Sequence, residues 1–182
     1  MTINSIINSK NIDLRLVEID DADFIVNLRL KKGRFLSKTD ADIKKQVEWI
    51  RQYKKREQKK EEYYFIIENK KKIRLGTIRI YDIDYRNKSF TFGSFIVDRD
   101  NCHNKFVALE SIAIIFDFAF NYIGLENCFF DCRIENEKAN NFYKKLKAEI
   151  IKKDEIDYFY QYSKKTFLEN ISSYKSIYDP IS

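Results

Sequence analysis

A helix that is apolar nearly all round is predicted at residues 108–123, and it constrains the fold of this chain more than any other segment. Its apolar side chains occupy every face of the helix: Leu109, Ile112, Ile115, Phe116, Phe118, Ala119 and Phe120. Such a helix is stable in water only when other elements cover it, so a sheet and further helices must surround it. Gly124 follows directly and is the residue type that commonly ends a helix.

The length of 182 residues fits one domain with a sizeable core. We expect a single domain over residues 1–182, with its core at about residues 12–167 and a C-terminal tail at residues 168–182. With 44% hydrophobic and 15% aromatic residues, the composition excludes the disordered class of proteins. The 4 glycines and the one proline, Pro180, mark no linker between domains.

Cysteine use and the N-terminal residues predict a cytoplasmic protein. The three cysteines are odd in number and have no CxxC spacing, so we expect reduced thiols, without a disulfide framework or a metal site. Residues 1–11 are polar and do not form the apolar region of a signal peptide. No apolar run reaches the roughly 18 residues that a membrane span needs.

The net charge of +6 favours anionic ligands, and basic residues are concentrated between Lys44 and Lys60. Two interpretations of this run stay open: a solvated helix face, or a positive field for a phosphorylated cofactor or a nucleotide-linked substrate. A basic nucleic-acid-binding module is an alternative from another functional class. Because the aromatic residues lie in apolar strand patterns and not among the lysines, we do not expect nucleic acid as the partner.

The remaining elements are predicted from the periodicity of apolar residues. Strands are expected at residues 12–19, 63–68, 74–82, 89–97, 128–134, 149–152 and 158–163, and further helices after Asp21, from about Asp40, and at residues 136–146. Short polar turns join the second, third and fourth strands, which is typical of an antiparallel meander. The expected fold class is therefore α/β (α+β), with a mixed, mostly antiparallel sheet of about seven strands flanked by about four helices.

Asn136, Ala139 and Tyr143 recur at positions i, i+3 and i+7 of the last predicted helix. At about 3.6 residues per turn, this spacing places all three side chains on one face of the helix. The segment resembles the Asn-x-x-Ala-x-x-x-Tyr motif of the GNAT acetyltransferase superfamily, and the order of elements over about residues 12–167 is similar to the GNAT order. The resemblance implies an N-acetyltransferase that uses acetyl-CoA.

The resemblance also assigns residues to the cofactor. Tyr143 is expected to protonate the departing coenzyme A thiolate, and Asn136 and Ala139 to contact the cofactor. The fourth strand, residues 89–97, is expected to be splayed, so that the backbone around Phe95, Ile96 and Val97 pairs with the pantetheine arm.

The pyrophosphate of the cofactor is expected at the start of the apolar helix, because backbone N–H groups at a helix N-terminus form an anion site. The predicted residues of this site are His103, Asn104, Lys105, Phe106, Val107 and Ala108. The family pattern Arg/Gln-x-x-Gly-x-Gly/Ala is replaced here by a segment without glycine. We expect Ala108 to take the place of the small residue and Lys105 to add positive charge.

A base must accept the proton of the attacking amine. Asp82 and Glu110 are the first candidates, with Asp84, Asp98 and His103 as alternatives.

The segment between the first two helices is expected to bind the acceptor. Its candidate residues are Arg29, Arg34, Phe35, Ser37 and Lys38. Arginine at such a place suits a phosphate or carboxylate. The chain resembles the GNAT branch of ribosomal-protein acetyltransferases, which includes enzymes that acetylate amino groups of nucleotide-linked sugars for surface polysaccharides. A small-molecule amine of that kind is the favoured acceptor; a protein N-terminus or ribosomal protein is the alternative, and a monomer or homodimer is expected.

Overall fold

A computed structural model describes residues 6–37, 40–102, 106–174 and 176–181. Its strands are β1 (Ile6–Asn8), β2 (Ile12–Leu16), β3 (Tyr63–Asn69), β4 (Arg74–Asp84), β5 (Ser89–Val97), β6 (Asn127–Arg133), β7 (Glu149–Lys153) and β8 (Asp157–Ser163). Its α-helices are α1 (Ala22–Lys32), α2 (Ile43–Gln58), α3 (Val107–Asp117), α4 (Glu137–Lys145) and α5 (Lys164–Tyr174). None of these helices has both the length and the apolar character that a membrane span requires.

The predicted fold class is confirmed: the strands form one mixed, mostly antiparallel sheet in the order β1-β2-β3-β4-β5-β6-β8-β7. The sheet has eight strands and not about seven, because the short β1 pairs with β2. A fifth helix, α5, follows β8 directly. α2 begins three residues later than expected, at Ile43, because Asp42 is the residue that accepts hydrogen bonds from the first free backbone N–H groups.

The parallel contact between β5 and β6 is short. Pairing joins Ser89 to Asn127, Phe90 to Cys128 and Thr91 to Phe129, and β5 continues to Val97 without further pairing to β6. β5 is the strand predicted as the splayed fourth strand, and it is fifth in the structure because β1 precedes it. A gap therefore opens in the middle of the sheet where these two strands part.

A β-bulge lies in β5 at this gap. The register runs from Thr77 opposite Ile96 to Arg79 opposite Gly93, so β5 holds one residue more than β4 over this stretch. Ser94 has a positive φ of 48°, and its carbonyl oxygen accepts a hydrogen bond from the Thr77 hydroxyl at 2.8 Å. A bulge of this kind bends the strand and changes the direction of its side chains.

The apolar helix is buried, as predicted, but it is not a regular α-helix throughout. After Asp117 the chain forms a π-helical segment, Phe118–Ile123, which Gly124 ends with a φ of 89°. Phe116 and Phe120 stack with a centroid distance of 5.6 Å and form part of the main core. The apolar helix and the sheet strands therefore share one core.

Both terminal segments pack against α3. The Glu110 carboxylate accepts hydrogen bonds from the Ser9 hydroxyl at 2.9 Å and from the backbone and side-chain nitrogens of Asn11 at 2.8 and 2.9 Å. The Asp117 carboxylate accepts one from the backbone N–H of Ile181 at 2.7 Å. Tyr178 is completely buried. Residues of the predicted tail therefore belong to the same core as the rest of the chain.

Candidate active site

A cavity of about 810 Å³ occupies the gap between β5 and β6. Its walls are the middle of β4, the C-terminal parts of β5 and β6, α4, and the segment after α1. The central lining residues are Tyr81, Phe92, Gly93, Ser94, Phe95, Asp131, Cys132, Asn136, Ala139 and Tyr143. Its volume is within the usual range of small-molecule sites, about 300–1,000 Å³.

The motif helix forms one wall of the cavity. Asn136, Ala139 and Tyr143 line it together with Lys138, Asn141, Phe142 and Lys145. That the first three share one face of the helix stays a prediction. Asn136 is the N-cap of α4, and its side-chain oxygen accepts a hydrogen bond from the Ala139 backbone at 3.3 Å. Asn140, which the sequence analysis did not single out, is buried and donates to the Arg133 carbonyl at 2.9 Å. These two asparagines fix the start of α4 against the end of β6.

The Tyr143 side chain is held by aromatic rings and leaves its hydroxyl available. Its ring lies 4.7 Å from the Phe130 ring and 5.5 Å from the Tyr160 ring, between centroids. Within the described part of the chain, no residue is hydrogen-bonded to the Tyr143 hydroxyl. Burial raises the pKa of Tyr143 above its ordinary value, because the phenolate would be poorly solvated. The side chain is therefore a protonated phenol at neutral pH.

The structure places neither predicted base in the cavity. Glu110 is fully buried under the N-terminal segment, where its carboxylate is occupied by Ser9 and Asn11. Asp82 is exposed and stands at an irregularity of β4, with a φ of 50°. Neither residue lines the cavity, whereas a base must reach the attacking amine directly or through one water.

The alternative carboxylates are not in the cavity either. Asp84 accepts hydrogen bonds from the backbone of Arg86 and Asn87, and Asp98 accepts one from the backbone of Asp100. His103 lies outside the described residues.

Asp131 is the acidic side chain that lines the cavity. It is exposed, and it stands on β6 where that strand has already separated from β5. The alternation of buried and exposed residues in β6 was a usable signal, since it places Asp131 and Arg133 opposite the buried Cys128, Phe130 and Cys132. The sequence analysis missed Asp131 because β6 lines the site only beyond the point where it separates from β5.

The predicted cofactor residues divide into two groups. Phe95 lines the cavity, whereas Ile96 and Val97 are paired with Thr77 and Gly76 of β4 and do not line it. At the start of α3, Ala108 lines the cavity, Val107 is buried in the core, and Phe106 is exposed at the N-cap. His103, Asn104 and Lys105 lie outside the described residues.

Most of the predicted acceptor residues meet at the same cavity. Arg29, Phe35 and Ser37 line it, and Arg29 donates hydrogen bonds to the Ser37 carbonyl and hydroxyl at 2.9 and 3.0 Å. Arg34 is exposed, lies over the Phe35 ring at 5.0 Å, and does not line the cavity. Lys38 lies outside the described residues.

The cavity lining is strongly basic. Six lining residues carry positive charge: Arg29, Arg79, Arg99, Arg133, Lys138 and Lys145. Among the lining residues that the structure describes, Asp131 alone carries negative charge. Arg133 is partly neutralised by Asp157 at 3.0 Å. The arrangement therefore favours ligands with several negative charges, such as phosphate esters.

Comparison with known proteins gives a consistent result. The sequence profile described as acetyltransferase (GNAT) domain matches residues 11–149. The solved structure of apo FdhC, titled a nucleotide-linked sugar GNAT, is 37% identical in sequence and has a TM-score of 0.85, covering 95% of this chain and 98% of that chain. No curated protein sequence matches the chain.

Two further solved structures share the fold at lower identity. A mutant form of the spermidine/spermine N-acetyltransferase SpeG from Vibrio cholerae is 20% identical, with a TM-score of 0.73 and coverage of 88% of this chain and 98% of that chain. The ribosomal-protein-S5-alanine acetyltransferase from Vibrio fischeri is 14% identical, with a TM-score of 0.75 and coverage of 88% and 97%. At these identities the likeness supports the fold alone.

Proposed function

This chain belongs to the GNAT acetyltransferase family and is an N-acetyltransferase, and we propose that its acceptor is an amino sugar linked to a nucleotide. Acetyl-CoA is the proposed acetyl donor, since GNAT acetyltransferases generally use it. The expected place of this chemistry is the biosynthesis of surface polysaccharides in the cytoplasm. A monomer or homodimer stays a prediction.

The charge of the cavity is the observation that carries the choice of acceptor. Six basic residues and one acidic residue line it, which is unfavourable for a polycation such as spermidine. A nucleotide-linked sugar brings a diphosphate whose charge this lining complements. The relative titled a nucleotide-linked sugar GNAT supports the same choice, at 37% identity over 95% of the chain.

The donor fits the gap between β5 and β6. After Thr91 the edge of β5 is not paired with β6, and it faces a cavity large enough for an extended arm. Phe95 and Ala108 line this cavity, and Lys138 and Lys145 of α4 supply charge for phosphates. Bound acetyl-CoA supplies the acetyl thioester.

Two residues of the cavity have proposed roles in proton transfer. The attacking amine forms the new bond to the acetyl carbon and must lose a proton, for which Asp131 is the acceptor, directly or through one water. The departing thiolate must gain a proton, and Tyr143 holds one at its phenol oxygen. Asn136 and Ala139 form the wall beside Tyr143 and orient the cofactor.

The proposal is tested by measuring the release of the coenzyme A thiol with a panel of acceptors. The panel contains dTDP- and UDP-linked amino sugars, their hydroxyl analogues without the amine, spermidine, and a peptide with an N-terminal alanine. We expect kcat/KM for a nucleotide-linked amino sugar to exceed that for spermidine and the peptide by about 100-fold or more. Equal or better turnover of spermidine or of the peptide would overturn the proposed acceptor.

A further inference from the structure

A second cavity of about 300 Å³ adjoins the first, between α1, α2 and the strands β3, β4 and β5. Arg29, Ser37, Arg79 and Ser94 line both cavities. The second cavity has Trp49 of α2 in its wall, and this is the one tryptophan of the chain. A ligand with two parts joined by a linker can therefore occupy both cavities with its linker at the shared residues.

Arg79 is held rigidly at this junction. Its guanidinium lies 5.0 Å from the Trp49 ring and 4.5 Å from the Tyr81 ring, and its side chain is 18% exposed. Glu62, which is 3% exposed, is ion-paired with both Arg79 and Arg56. Because one carboxylate serves two guanidinium groups, the cluster keeps a net positive charge. The aromatic rings restrict Arg79 to one orientation, which lowers the entropy cost of binding an anion.

The acidic residues of the second cavity are already occupied. Asp40 is ion-paired with Lys45 at 2.5 Å, and the Asp42 carboxylate accepts a hydrogen bond from the Lys44 backbone at 2.8 Å as the N-cap of α2. At the far end of the cavity Lys45 offsets Asp40, while Asp42 keeps its negative charge. The positive side chains Arg29 and Arg79 lie at the end that the two cavities share.

We propose that the second cavity binds the nucleoside of the acceptor, and that Arg29 and Arg79 at the junction bind its diphosphate. In a nucleotide-linked sugar, the diphosphate joins the nucleoside to the sugar. The order of second cavity, junction and active-site cavity matches this connectivity and places the sugar amine on the side of Tyr143 and Asp131. Planar guanidinium groups suit phosphate oxygens. Trp49, which is stacked on Tyr53 and contacts Arg79, lies in the wall of the cavity that receives the nucleoside. This inference rests on the proposed function.

The test uses the fluorescence of Trp49, because this single tryptophan lies in the wall of the second cavity. The protein is titrated with dTDP and with UDP while coenzyme A is present at saturation, so that the cofactor site is filled. We expect a saturable change in fluorescence. Arg29→Met and Arg79→Met should each weaken nucleotide binding by about tenfold or more, and Arg79→Lys, which keeps the charge next to Glu62, should weaken it less.

Arg51→Met is the control, since Arg51 is an exposed arginine of α2, the helix that carries Trp49, and it is paired with Glu48 and lies outside both cavities. It should leave nucleotide affinity unchanged. Thermal unfolding of each variant identifies a loss of folding, and Arg79→Lys keeps the test valid if Arg79→Met does not fold. Competition between dTDP and coenzyme A, or equal affinity in the wild type, Arg29→Met and Arg79→Lys, would overturn the inference.

The acceptor panel separates this inference from the proposed function. If a nucleotide-linked amino sugar is acetylated but its KM is unchanged in Arg29→Met and Arg79→Lys, the nucleotide site is wrong while the acceptor class stands. If neither nucleotide binds and no nucleotide-linked sugar is acetylated, both fail. A raised KM with nearly unchanged kcat in these variants, and unchanged KM in Arg51→Met, supports the inference.

Discussion

Two regions of the molecule each contain a carboxylate, and the surroundings of the two carboxylates are opposite. On α3, Glu110 is completely buried and accepts three hydrogen bonds from Ser9 and Asn11. In the gap between β5 and β6, Asp131 is exposed and lines a basic cavity. Donors of the protein hydrogen-bond the Glu110 carboxylate, whereas the Asp131 carboxylate faces the cavity and is accessible to a ligand.

The same contrast applies to the tyrosines near these regions. Tyr160 donates its hydroxyl proton to Asn140 at 2.9 Å, whereas the Tyr143 hydroxyl has no protein partner among the described residues. A buried polar group that is fully hydrogen-bonded stabilises the fold, and one that faces a cavity without a partner is available for chemistry. Partners, rather than residue type, therefore distinguish the structural region from the candidate catalytic one.

Tyr143→Phe should give the largest loss of activity, and the loss should be mainly in kcat. Removal of the phenol proton is expected to lower kcat by about 10- to 1,000-fold, with acetyl-CoA affinity changed by only a few-fold. Because burial raises the pKa of Tyr143, the wild-type phenol stays protonated through neutral and mildly alkaline pH, so it should cause no loss of rate there. Steady-state kinetics and calorimetric binding measure both quantities; unchanged kcat with a true acceptor would make Tyr143 a core residue only.

Asp131→Asn should lower kcat by about 10- to 100-fold, since the neutral amide does not accept the amine proton. The free energy of unfolding should change by less than about 0.5 kcal/mol, because Asp131 is exposed. A pH profile supplies a sharper readout than the rate alone: raising the pH deprotonates the amine without a base and should restore part of the lost rate. An unaltered profile would remove Asp131 from the mechanism.

Glu110→Gln is the matched change in the other region and should show the reverse pattern. One oxygen that accepts hydrogen bonds becomes an amide nitrogen facing donors, which should cost about 2 kcal/mol of unfolding free energy. Turnover per folded molecule should stay the same, since Glu110 does not line the cavity. Urea unfolding measures the stability of Glu110→Gln, and kinetics at a permissive temperature measure its turnover. A loss of kcat without a loss of stability would indicate that Glu110 acts as the base.

Lys105→Ala should give the smallest effect. If Lys105 contacts the pyrophosphate, as its sequence position predicts, its loss should weaken acetyl-CoA by about tenfold at most. Acetyl-pantetheine, which lacks the pyrophosphate and nucleotide, is the control ligand and should bind with unchanged affinity. Equal losses for both ligands would show that Lys105 does not contact phosphate.

Much of the fold was predictable because its signals are local. The apolar helix, the alternating strands, the short turns and the i, i+3, i+7 spacing of Asn136, Ala139 and Tyr143 all follow from periodicity along the chain. β1 was missed because three residues carry too little pattern. The π-helical segment was missed because Phe118–Ile123 has an ordinary helical composition.

The site was predictable where it follows the motif helix and not where it depends on how strands part. Three residue pairs join β5 to β6, the last of them Thr91 and Phe129. Because the strands separate there, Asp131 and Arg133 line the cavity. Likewise, the sequence does not predict the hydrogen bonds of Glu110 with Ser9 and Asn11, because about a hundred residues separate Glu110 from both.

The sequence by itself thus determined most of the elements and the burial of α3, because each depends on residues within a few turns or strands of one another. The tertiary structure decided which carboxylate is structural and which faces the ligand. That choice depends on long-range contacts, because a polar group takes its role from the partners and the solvent that the folded chain places around it.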